Sequence, residues 1–138
     1  MSEILVDNLT GKTSAGDITV TSEGGDATQS LQQGLAKAWA NFNGTGTIAV
    51  RDSLNVSSLN DDGTGKYDVV LTSNMNNANY SAIGIGAFNS SDSAGQTTGQ
   101  CRRISPATNL FGVRGHSVSA SVFDDIELAY GLAHGDLA

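Results

Sequence analysis

The rhythm of apolar and polar positions changes twice along the chain. In residues 1–25 two short apolar runs, Ile4-Leu5-Val6 and Ile18-Thr19-Val20, flank a turn-like stretch at residues 11–16. Each run reads as a short strand bounded by Gly, Asn and Asp. Two strands alone are marginal in water, so this arm is expected to pack on another subunit or another protein. Residues 26–43 carry a helical pattern. Ala27, Leu31, Leu35, Ala38 and Phe42 recur at spacings of four, four, three and four, with Trp39 beside them. Asp26 and Gln29 fit a capping box at the start, and Gly44 fits a left-handed cap at the end. The stripe is too short for a free coiled coil. It suits either packing on the chain's own sheet or lining a symmetry axis.

From residue 44 the period becomes two. Ile48, Val50, Leu54 and Val56 alternate with polar neighbours, and Asp52 within that register marks an edge or a bulge. Asp61-Asp62-Gly63-Thr64-Gly65 is a turn signal, followed by a strand through Tyr67, Val69 and Leu71. Another turn at residues 74–79 leads into a strand over residues 80–88. Residues 89–100 hold no large apolar side chain and read as an exposed loop. Val118, Ala120 and Val122 alternate with serines as a half-buried strand. The pattern predicts a mainly β chain: a small antiparallel β-sandwich with one short N-terminal helix and an extended N-terminal arm. Its divisions are an arm at 1–25, a helix at 26–43 and a β domain at 44–138.

Composition sharpens this picture. Leu, Ile, Val and Phe number only 31 of 138 residues, whereas Gly, Ser, Thr and Asn number 56. Such a chain builds a thin core beneath a turn-rich polar surface. With a single cysteine, Cys101, it can form no internal disulfide, so it is expected to gain stability by oligomerising. The net charge of −7 and the lone basic pair Arg102-Arg103 argue against nucleic acid and against anionic membranes. No run is long and apolar enough to insert in a membrane. The N-terminus lacks a signal-peptide pattern, so any export is expected by another route.

The search for chemistry predicts neither an enzyme nor a cofactor. A G-x-S-x-G elbow is missing. His116 and His134 could join a triad only by chance among sixteen serines. Asp61, Asp62 and Asp68 lack the spacing of a calcium loop and read as turn residues. Gly84 and Gly86 read as close-packing strand glycines rather than half of a dinucleotide fingerprint. The five N-x-[ST] triplets, at Asn8, Asn43, Asn55, Asn79 and Asn89, reflect composition.

One long stretch carries a resemblance. Residues 31–85, LQQGLAKAWANFNGTGTIAVRDSLNVSSLNDDGTGKYDVVLTSNMNNANYSAIGI, closely resemble a domain recurrent in tail-fibre-like proteins of tailed phages, especially those of marine bacteria and cyanobacteria. The AKAW-NFNGTGT-I-RDS-NVSS segment, the D-GTG-Y turn and strand, and the M-NANY turn are its most specific marks. Gly135-Asp136-Leu137-Ala138 looks like the family's usual ending, and residues 91–134 diverge. Residues 1–25 are similar in style to short virion-attachment segments.

The resemblance implies a virion protein, on the tail rather than the capsid surface, assembled as a homotrimer with a small β domain. It brings no catalytic residues. On this reading Leu31, Leu35 and Phe42 are the trimer-axis candidates, and residues 1–25 hold other virion proteins. A host-surface polysaccharide is then the candidate receptor. The alternatives are a virion connector or head or tail decoration without receptor binding, and a small carbohydrate-binding module. Only 8 aromatic residues are present, which disfavours an aromatic sugar platform. Past residue 23 the only Glu is Glu127, which disfavours the paired carboxylates of a depolymerase.

Overall fold

Short strands and one helical turn organise the computed structural model, which describes residues 3–87, 98–101, 107–116 and 122–138. The chain divides into two compact units, one ending at Leu35 and the other beginning at Ala36. In the first, β1 (Thr19–Thr21) pairs antiparallel with β2 (Thr28–Ser30), and α1 (Leu31–Gly34) follows directly. Backbone bonds from Gly11 N to Ala15 O and from Asp17 N to Ser14 O close the turn expected between the apolar runs. Ile4, Leu5 and Val6 belong to no strand and are exposed.

The helix expected over 26–43 is reduced to that single turn. Its N-cap is Ser30, whose hydroxyl accepts from Gln33 N, rather than Asp26. Residues after it are extended: β3 (Ala38–Asn43) buries Ala38, Ala40 and Phe42 and leaves Trp39, Asn41 and Asn43 partly covered. The ambiguity is physical. Ala38 and Phe42 satisfy a helical spacing of four and an alternation of two equally well, and pairing on both sides with other strands selects the latter. Gly44 caps no helix. It forms a turn where an added Cβ would lie 2.6 Å from the Tyr67 ring.

The second unit holds two four-stranded antiparallel sheets. The first has the order β4 (Ala49–Leu54), β3, β10 (Leu128–His134), β7 (Ser81–Ala87). The second has the order β5 (Val56–Asp61), β6 (Lys66–Leu71), β9 (Leu110–His116), β8 (Thr98–Cys101). The apolar run read as continuous from Ile48 to Val56 is therefore split between sheets. It breaks at Asn55, whose φ of 56° is left-handed. Asp52 does mark an edge strand with a bulge, since Asn41 faces Asp52 while Phe42 faces Val50, leaving Arg51 as the extra residue. Thr98–Cys101 forms a strand where a loop was expected, while Val118 and Ala120 lie outside the described residues.

Both sheets feed one apolar cluster. Phe42 from the first meets Tyr67 from the second edge-on, with ring centroids 5.3 Å apart. Gly131 on β10 allows this approach, because a Cβ there would lie 2.6 Å from the Phe111 ring. The Gly135–Leu137 region is tied in as well. Leu137 bridges to Met75, Asn76 N donates to Asp136 O, and Ala138 N donates to Asn74 O.

Candidate functional site

The polar residues that mark the sequence most strongly prove to be turn clasps. Asn43 Oδ1 accepts from Thr45 Oγ1 at 2.8 Å while its Nδ2 donates to Thr45 O. The bulged Arg51 reaches from the edge strand to donate to Phe42 O and Glu127 O at 2.7 and 2.8 Å. Asn55 Nδ2 donates to Lys37 O and Ser73 O, and its Oδ1 accepts from Ser73 N. Asp61 Oδ1 accepts from Gly63 N, so that carboxylate serves its own turn. Apart from the Thr45 hydroxyl bond, which joins two side chains, each bond satisfies a backbone group.

The buried polar groups are likewise structural. Arg114 Nη2 pairs with Asp68 Oδ1 at 3.0 Å, and its Nη1 donates to Tyr67 O and Val113 O. Asp62 shares the same guanidinium at 3.9 Å. Burial, followed by the hydrogen bond with Asp68 and its charge, pushes the Asp62 carboxyl above its ordinary value. The Lys37 ammonium is pushed down by burial and partly restored by Asp136. Among the described residues no cluster of three His, Cys, Asp or Glu side chains is arranged for a metal ion. His116 packs edge-on against Phe123 on the second sheet, and His134 lies on the first.

What is left without an internal role is the outer face of the first sheet. Alternation turns Trp39 of β3 and Leu132 of β10 away from the core, opposite one another in register. Leu54 of β4 faces Trp39 on one side, and Ile83 of β7 faces Leu132 on the other. The result is an apolar row, Leu54–Trp39–Leu132–Ile83, across all four strands. Beside it Tyr130 faces Ile85. Ile83 and Ile85 are each 64 % exposed, Leu54 47 % and Tyr130 40 %. Ile83, Ile85, Tyr130 and Leu132 line a shallow apolar trough of about 420 Å3. At the centre of the face Asn41 lies between Tyr130 and Asp52, its Oδ1 buried without a hydrogen-bond partner.

The three residues expected at a symmetry axis are divided between the two units. Leu31 and Leu35 belong to the first unit, where they line an apolar pocket with Leu9 and Ile18. Phe42 is fully buried in the core of the second unit and offers no surface to a partner.

Comparison with protein-family models, with curated proteins and with solved structures found no match. The exposed face therefore rests on its own geometry. One signal for it was present in the sequence. Ile83-Gly84-Ile85-Gly86 places both bulky side chains on one side of a strand and both glycines on the other. The glycines face inward, where a Cβ at Gly86 would lie 2.7 Å from Ile126 Cδ1. The isoleucines are thereby turned outward.

Proposed function

We propose that this chain is a structural component of a tailed-phage virion, of the tail-fibre class. In this reading it is a homotrimer, attached by its N-terminal unit and presenting its β domain toward the host surface. The two sheets of that domain form a β-sandwich. The motifs quoted from residues 31–85 support the phage assignment. The observation that carries the structural role is the contrast between the two units. The second unit has a continuous apolar core, whereas no residue between 3 and 35 is buried and Ile4, Leu5, Val6 and Leu9 are exposed. An assembly protein needs such a segment, one that completes its packing on a neighbour.

The test is incorporation. Phage carrying a chain truncated before Ala36 should yield particles lacking the protein, while the truncated chain itself folds. Incorporation at the parental level overturns the attachment role. A connector without receptor binding is the second reading, favoured by the aliphatic make-up of the exposed sheet face. Competition separates the two: purified protein that blocks phage adsorption supports host attachment, and protein without effect supports the connector.

A further inference from the structure

We infer that the outer face of the β4-β3-β10-β7 sheet packs against other copies of this chain and forms the centre of its homo-oligomer. The inference rests on the proposed assembly and locates its interface. It moves that interface from Leu31, Leu35 and Phe42 to the apolar row Leu54–Trp39–Leu132–Ile83 with Ile85 and Tyr130.

Area is the first argument. At the exposures above, Ile83, Ile85, Leu54 and Tyr130 leave on the order of 400 Å2 uncovered, within the roughly 300–600 Å2 of the largest patch on a monomer. The partly covered Trp39 and Leu132 add to it. A stable pairwise interface takes about 800 Å2 from each partner, of which roughly 65 % is apolar in homo-oligomers, and in a ring each copy divides its face between two neighbours. The row supplies the apolar centre of each contact, and Asn43, Asp52, Ser81 and His134 surround it as a polar rim.

Composition is the second argument. Four of the six side chains are aliphatic and offer a sugar neither a ring to stack on nor a hydrogen bond. Charge agrees: the chain is acidic overall, yet the row carries no charged side chain, and the carboxylate on this face, Asp52, sits on the edge strand β4 at the rim. Shape is the third. The row spans the whole sheet, with a large apolar residue on each of its strands. Its β7–β10 half can thus seat on the β3–β4 half of a rotated copy, and three such contacts close a ring about one axis.

The experiment is mass measurement by light scattering at micromolar concentration, with circular dichroism to follow folding. The parent chain should be a trimer. Ile83→Lys combined with Ile85→Lys should give a folded monomer, whereas Leu35→Lys in the first unit should leave the trimer intact. Leu54→Lys, at the far end of the row, gives the same readout should the double variant fail to fold. A trimer that survives in a folded row variant overturns the interface and spares the trimer reading. Dissociation by Leu35→Lys alone returns the axis to the first unit and likewise overturns it. A parent dimer that the row variants dissociate keeps the interface and overturns only the three-fold symmetry. A monomeric parent overturns both, and a tryptophan fluorescence shift with host polysaccharide would then assign the face to a glycan.

Discussion

Single residues at the centre of the β domain decide whether its turns close. Tyr67 is the clearest case. Its hydroxyl accepts from Ile126 N at 3.2 Å and donates to Gly44 O at 2.8 Å, with Asp125 Oδ1 a competing acceptor at 3.0 Å. Tyr67→Phe strands these partners, at a cost of about 1–3 kcal/mol in a denaturant titration at neutral pH. Burial, the largest cause, raises the phenol above its ordinary 10.0. The folded state thus holds this proton more tightly than the unfolded chain does. The stability linked to it is fully present below about pH 10 and lost as pH rises toward the folded value. The Phe variant should lose stability less steeply over that alkaline range, which melting curves from pH 9 upward measure. Gly65 and Gly46 make a second test. Both have left-handed φ, at 64° and 62°, but a Cβ at Gly65 would lie 2.5 Å from Asp124 O while Gly46 has open space around it. Gly46→Ala should cost about 1–2 kcal/mol of conformational strain. Gly65→Ala should cost visibly more by the same titration.

At the scale of elements, legibility in the sequence followed the degree to which one period excluded the other. Tyr67, Val69 and Leu71 alternate with no helical competitor, and β6 buries all three. Residues 81–87 and the Asp61–Gly65 turn were legible for the same reason. Residues 26–43 were not, because alanines and a single Phe fit both periods, and cross-strand pairing with β4 and β10 settles the matter. The break at Asn55 was hidden because a left-handed Asn at a sheet corner leaves apolar alternation unbroken across it. The exposed row was hidden differently. It is assembled from strands far apart in sequence, and only register brings Leu54, Trp39, Leu132 and Ile83 into line. The two faces of β3 give the matching prediction. Phe42→Ala empties the core and should cost about 3–5 kcal/mol at any protein concentration. Trp39→Ala should lower stability mainly through assembly, so its effect should grow with protein concentration in melts of parent and variant. Equal, concentration-independent losses would place Trp39 among the core residues.

For the molecule as a whole, the decisive contrast is between a unit that closes its own core and one that does not. Ordering a residue costs about 1–2 kcal/mol of backbone entropy, which apolar burial must offset. Among the described residues of the β domain, twelve apolar side chains form the buried cluster. Between residues 3 and 35, by contrast, the hairpin β1-β2 is three residue pairs long and α1 is one turn. A two-stranded hairpin of that size is marginal in water, and a four-residue helix falls far below the length that is stable alone. Local opening should therefore be frequent in the first unit and rare in β3 and β6, and proteases cut what opens. Chymotrypsin is a suitable reagent because Leu5, Leu9 and Leu35 are exposed, whereas Phe42, Tyr67 and Phe111 are fully buried. Mass spectrometry of the earliest products should show cuts at the three exposed leucines, while Leu54, exposed but held in the β4 ladder, stays uncut within residues 38–71. If the first unit attaches to a particle as proposed, the same leucines should be protected there. First-unit leucines that resist cleavage in the free protein as long as Phe42 does would mean that this unit is stable by itself, and attachment would then need another surface.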